Sequence, residues 1–325
     1  MKVIFKKISL LLASMVLGVL SVGPAAAEYP DRPINVVIPF APGGPSDVVS
    51  RLVATAMSRE LKQPMVILNR PGAGGNIGMG QVANSKPDGY NVLMTSIAVT
   101  QNPAVFRNMP YDPLKDLVAV SVFCESATLI GVSAASVPAK TLGEFIAMLK
   151  KAPPLTYNIA GAGGQRMTME KFMIQFDVKL EQISYNSGGA AALALMAGDV
   201  QLQLNNATTL ASPYKSGKVK ILAVANETRL PSFPDVPTTK EAGFPDYIEK
   251  THIGMYVNAG TPKDILAKLH AAARRAVASP EVQASLASLE FVPSPLTQAQ
   301  ADSFYREEVV RWREIARKAN IPPSD

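Results

Sequence analysis

Two rhythms of apolar residues alternate along this chain: short unbroken apolar runs, and longer stretches with a helical repeat. Residues 34–40 (INVVIPF) have the β-branched density of a buried strand. After a loop rich in glycine and proline, Val48, Val49, Leu52, Val53, Ala56, Met57 and Leu61 recur at helical spacing, predicting a helix over 46–61. The same reading places strands at 65–69, 91–95, 118–124, 128–133, 155–160, 180–184, 200–205, 219–225 and 252–258. It places helices at 74–84, 141–150, 166–176, 189–197, 262–278 and 297–319. Strands alternating with helices predict an α/β fold with largely parallel sheets.

The adjoining strands at 118–124 and 128–133 mark a candidate crossing between two lobes, and 252–258 a candidate return. Lobe one is then discontinuous, 28–126 plus 252–325, with lobe two (127–251) inserted; two consecutive domains remain the alternative on the residues alone. The run 230–237 (LPSFPDVP) reads as an extended surface loop. The last helix carries Phe304, Val309, Trp312 and Ile315 on one side and reads as an amphipathic helix docked on lobe one.

Composition changes this picture mainly at the N-terminus. Lys2, Lys6 and Lys7 precede an uncharged apolar stretch from Ile8 to about Val22, and small residues follow at 24–27 (PAAA). This is the layout of a secretory signal peptide cleaved before Glu28, so a periplasmic location is expected. The stretch is short for a bilayer crossing, and no basic stop-transfer cluster follows it. The sole cysteine, Cys124, is far from the cleavage site and cannot serve as a lipid anchor there, so no membrane insertion is expected of the mature chain. Removing residues 1–27 takes away three lysines and no acidic residue, which lowers the formal charge from +6 to +3. That mild bias, without a dense Lys/Arg stretch, predicts no nucleic-acid partner. With Val122 and Phe123 before it, Cys124 reads as a buried small side chain.

Candidate chemistry repeats one local device. Strand 34–40 ends in PGGP (42–45) before a helix starting at Ser46 and Asp47; strand 155–160 ends in GAGG (161–164) before Gln165 and Arg166; a third strand ends in YNSGG (185–189) before an alanine-rich helix. Each puts free backbone N–H groups at the carboxyl end of a strand, where glycine lets a ligand approach. In open α/β sheets ligands bind in that crevice, so small anions are the natural guests. Each loop also has a plainer reading as a tight turn, and Ser46 or Asp47 as an N-cap.

Other chemistry finds little support. GAGGNIG (72–78) superficially resembles a dinucleotide fingerprint but has the wrong spacing. With only His252 and His270 and no cysteine cluster, metal binding is not expected, nor is any cofactor. No Gly-x-Ser-x-Gly elbow or assignable carboxylate pair points to catalysis, so an enzyme is not expected.

The segments YPDRPI (29–34) and VIPFAPGGPSD (37–47) resemble the opening of the Bug-type receptors, the substrate-binding proteins of the tripartite tricarboxylate transporter family. The likeness continues through NRPGAGGNIG (69–78), KPDGY (86–90), MPYDP (109–113), PDVPT (234–238) and EAG (241–243), in order along the chain. The resemblance implies a two-lobe type II periplasmic-binding-protein fold with a ligand cleft between the lobes. It also implies a small carboxylate ligand held by loop amides, hydroxyls and waters, delivery to membrane permease subunits, and a monomer.

By position, lobe-one contacts would be Gly43, Gly44, Ser46 and Asp47 with the loop 96–102, Ser96 and Thr100 foremost. Lobe-two contacts would be Gly163, Gly164, Gln165, Arg166, Tyr185, Asn186, Ser187, Gly188 and Asn205. Asp47 would orient water or bind an amino group, since a bare carboxylate there would repel an anion. Arg166 either clamps a second carboxylate or points to solvent. Departures from the usual pattern fall where the ligand is chosen: Gln165, Arg166 and Met167; Ser184 to Ser187; and His252 in place of a Trp. The likeness also permits a ligand-sensing component that docks on a receptor kinase.

Overall fold

The computed structural model describes residues 28–151, 155–160, 164–185 and 188–323. Residues 1–32 and 33–325 are separate units. The second unit contains every strand and helix described below.

Eleven strands are seen among the described residues, in two sheets. The first sheet has the order β11-β4-β10-β3-β1-β2, from β1 (Ile34–Ile38), β2 (Met65–Asn69), β3 (Asn91–Ser96), β4 (Leu117–Ala127), β10 (Lys250–Asn258) and β11 (Val292–Pro293). The second has the order β7-β6-β8-β5-β9, from β5 (Leu129–Ser133), β6 (Leu155–Ala160), β7 (Leu180–Tyr185), β8 (Leu202–Asn205) and β9 (Val219–Val224). The helices are α1 (Pro45–Leu61), α2 (Asn76–Ala83), α3 (Ala98–Val105), α4 (Pro113–Asp116), α5 (Leu142–Leu149), α6 (Gly164–Phe176), α7 (Gly188–Ala197), α8 (Ala207–Lys215), α9 (Lys263–Ala278), α10 (Pro280–Ser288) and α11 (Gln298–Lys318).

The fold is α/β as expected, but the sheets are mixed where largely parallel ones were predicted. β1 runs parallel to β2 and β3, and β6 to β7 and β8. β10 is antiparallel to both β3 and β4, and β5 is antiparallel to both β8 and β9. A parallel neighbour needs a long crossover, usually helical. No helix separates β4 from β5 or β9 from β10, so these strands enter their sheets in the opposite sense.

The chain passes between the sheets at a tight knot of backbone. Thr128 N–H donates to Glu249 O (2.9 Å), Ala225 N–H to Thr128 O (2.8 Å), and Glu249 N–H to Ala225 O (3.0 Å). From there β4 and β10 pair along their lengths, Lys250 opposite Ala127 through Asn258 opposite Leu117. Gly254 sits at a register shift in this ladder, where an added Cβ would meet Ser121 O at 2.7 Å.

The cores follow the apolar runs. Val37, Leu93, Leu117, Ala119 and Tyr256 pack with Tyr305 and Val309 of α11, as expected for a docked amphipathic helix. A second core forms around Ile130, Phe145, Phe172, Leu202 and Tyr247. Cys124 is fully buried, and burial pushes its thiol pKa up. His252 is buried in β10, with the Phe304 ring edge-on at 5.1 Å and Tyr256 Oη at 3.4 Å from Nε2. Desolvation, aided by Arg311 and opposed by Glu308, lowers its pKa to about 4.

Candidate functional site

A cavity of about 190 Å³ lies where the carboxyl ends of β3 and β8 face the start of β10. Gly44, Ser46, Ser96, Ala98, Asn205 and Asn206 contribute to its wall, with Phe40, Leu204 and Ile253 as apolar lining. Drug-sized sites span roughly 300–1,000 Å³, so this one suits a small organic molecule.

Three helices begin at this wall. In α1 the first intrahelical bond is Val48 N–H to Gly44 O, which leaves the amides of Ser46 and Asp47 ahead of the ladder. In α3, Thr100 and Gln101 are the first residues to bond back, both to Ile97 O, leaving those of Ala98 and Val99. In α8, Thr209 and Leu210 bond back to Asn206 O, leaving those of Ala207 and Thr208. Helix N-termini carry partial positive charge and unpaired donors, so three around one cavity make an anion site without a cationic side chain.

One anionic side chain also lines the cavity. Glu249 is 3 % exposed, and its Oε2 accepts from Lys171 Nζ at 2.6 Å. Lys171 Nζ also donates to Ile248 O (2.7 Å) and lies 5.5 Å from the Tyr247 ring centre. Among the described residues Glu249 Oε1 receives only the Thr168 hydroxyl, at 3.4 Å, and Thr168 Oγ1 in turn accepts from Gln101 Nε2 at 3.1 Å. Burial raises the Glu249 pKa, opposed by Lys171. Lys250, also in the wall, is exposed.

The expected site residues divide. Gly44, Ser46, Ser96 and Asn205 line the cavity, and Gln101 joins them from the loop 96–102. Gly43, Asp47 and Thr100 do not. Asp47 Oδ2 accepts from Gly43 N–H (3.0 Å) and Arg51 Nε (2.8 Å), and its Oδ1 from Asn69 Nδ2 (2.8 Å). Asn69 Nδ2 also donates to Phe40 O at 2.9 Å. Asp47 therefore fastens the loop before α1, where Gly43 takes φ +91°, a conformation that favours glycine. The Thr100 hydroxyl is turned onto Ile97 O at 2.8 Å.

On the second side, Arg166 is 20 % exposed and pairs with Glu170 at 3.3 Å, away from the described cavity wall. Tyr185 packs against a hydrophobic core that includes Leu195, also off the wall. Gly163, Asn186 and Ser187 lie outside the described residues, and of Gly164, Gln165 and Gly188 only the backbone is placed, at the starts of α6 and α7. Asn206, Thr209, Thr168, Glu249 and Thr251 line the cavity without having been singled out from the sequence. For the α8 pair a signal existed, since Asn205 and Asn206 follow an apolar strand as a helix cap would. Among the described residues no group of His, Cys, Asp or Glu could hold a metal ion, and no helix is long and apolar enough to cross a membrane.

Known proteins resemble this chain in sequence and in fold. The protein BugT of Bordetella pertussis is 30% identical over 300 residues, covering 91% of this chain and 92% of its own. The solved structure of Rpa4515 from R. palustris with adipate superposes with a TM-score of 0.84 at 27% identity, over 91% of this chain and 100% of that one. MatC from Rhodopseudomonas palustris, with bound malate, gives 0.81 at 30% identity, over 89% and 100%. The sequence model of the tripartite tricarboxylate transporter family receptor matches residues 49–321, and the chain belongs to that family.

Proposed function

We propose that this protein is a periplasmic solute receptor that captures a small organic carboxylate and presents it to membrane permease subunits. The observation that carries the reading is the meeting of three helix N-termini, those of α1, α3 and α8, at one small cavity. The carboxylate head sits against their free amides, helped by the hydroxyls of Ser46 and Thr209. Relatives of the same fold hold adipate and malate, which makes di-acids of this size the first ligands to test.

The chain works as two lobes, 28–126 with 252–325 and 127–251, which close on the ligand. Supporting this, the first sheet draws its strands from either side of the second sheet's segment. Contacts to both lobes exist together only when closed, and that differential affinity drives closure. Residues 1–27 act as the export signal, and the receptor acts as a monomer. The receptor binds its ligand and returns it chemically unchanged.

Isothermal titration and thermal melting against a carboxylate panel, with the corresponding amides as controls, test this. A native-state ligand at 100 times its Kd stabilises by about 2.7 kcal/mol. A melting shift with an acid and none with its amide is the expected result. No response to any acid, in protein shown to hold no retained ligand, overturns the reading.

A further inference from the structure

We infer that Glu249 makes this site select carboxylates that carry a hydrogen-bond donor, a hydroxyl or an ammonium group, beside the carboxylate head. The inference rests on the receptor reading above and adds a residue and a ligand class to it.

The chain of bonds beside the cavity has a fixed direction. Lys171 occupies Glu249 Oε2 from outside the described cavity wall. The single hydroxyl hydrogen of Thr168 goes to Glu249 Oε1, so Thr168 Oγ1 must accept, and it does so from Gln101 Nε2. That commits the Gln101 amide nitrogen and leaves its Oε1, on a residue 0 % exposed, with no partner among the described residues. Among the described residues Glu249 Oε1 has only one long bond, at 3.4 Å. The hydroxyl hydrogen of Thr168 is therefore used inside this chain, while two acceptor oxygens, Gln101 Oε1 and Glu249 Oε1, remain under-satisfied on residues that line the cavity. Buried acceptors left unpaired are costly, and a ligand donor removes that cost.

The cavity is thus bipolar. Amide donors at α1, α3 and α8 suit an anion, and acceptors at Gln101 and Glu249 suit a donor. A second bare carboxylate set against Glu249 would meet like charge. The exposed Lys250 gives a more distant positive charge at the wall, where the far end of a di-acid is best placed. A hydroxyl donates to either oxygen; an ammonium also gains from the charge of Glu249.

The test is isothermal titration of the purified protein with two matched series. One is succinate, malate and aspartate; the other is adipate with its 2-hydroxy and 2-amino analogues. In at least one series, a donor-bearing acid should bind ten-fold or more tighter than the unsubstituted acid. In Glu249→Gln, and in the double variant Glu249→Gln/Lys171→Met that leaves no uncompensated buried cation, this advantage should fall to three-fold or less. The loss should be larger for the ammonium than for the hydroxyl ligand, and a cooperative thermal melt of each variant shows that it is folded. Acids that bind with no donor preference, or a preference that survives both variants, overturn the inference and leave the receptor reading standing. If no acid binds at all, the receptor reading falls and this inference with it.

Discussion

At the scale of single residues, the instructive case is an acid that seemed placed to touch ligand and instead holds the loop that does. Burial pushes the Asp47 pKa up, but bonds from Arg51, Asn69 and Gly43 outweigh it and keep the carboxyl below its ordinary value. Asp47→Ala leaves the Gly43 amide without its acceptor and Asn69 with Phe40 O alone, and loosens the loop that presents Gly44 and Ser46. We expect it to destabilise by about 1–3 kcal/mol and to weaken carboxylate binding as well. Thermal melting and titration of the variant check this; unchanged affinity would show that the loop holds its shape without Asp47. The sequence showed Asp47 beside the glycines but could not show Asn69, 22 residues on, reaching back to it. The same limit hid Glu249, whose partners Thr168 and Lys171 lie 81 and 78 residues away.

At the scale of elements, the apolar rhythm was a good guide to the longer strands. Residues 65–69 and 155–160 were bounded as they stand in β2 and β6, and most others fell within two residues. The helices it missed carry weak or broken patterns. α3 contains Pro103 and polar Thr100, Gln101 and Asn102, α8 contains Pro213, and α4 and α10 are only four and nine residues long. Two of these four missed helices, α3 and α8, begin at the cavity, so the device was recognised at the glycine loops and overlooked where asparagine or serine stands in the same place. α6 shows what an element contributes beyond its own residues. Its Met167 is 0 % exposed and wedges among Val105, Phe106, Trp312, Ala316 and Ile321, tying the second sheet's helix to α3 and α11. Met167→Ala should cost about 2–5 kcal/mol if the whole wedge is stabilising. It should also weaken ligand binding, because Thr168 next to it loses its position. Denaturant melts and titration of the same variant separate the two effects.

At the scale of the whole molecule, stability depends on a histidine that the cavity does not use. The pKa of His252 falls from an unfolded value near 6.5 to about 4. The unfolded chain therefore binds the extra proton first as pH drops. The contribution is complete above about pH 6.5, declines through the window and is exhausted near pH 4, where up to roughly 3 kcal/mol has been lost. Melting temperatures recorded from pH 7 to pH 4 should decline, and His252→Gln should flatten that decline; an equally steep decline in the variant would place the proton uptake elsewhere.

One feature of the backbone gives the binding site its mechanical advantage. Thr128, Ala225 and Glu249 are joined by three main-chain bonds where the chain leaves one sheet for the other, and the side chain of Glu249 faces the cavity. On the proposed closure, a ligand held there is gripped at the axle and not at the rim. A small turn at the axle sweeps the far tips of both halves through a long arc. On that proposal, a few ångströms of adjustment around a molecule the size of malate would be geared up into a change of outer surface that a membrane partner could read from a distance.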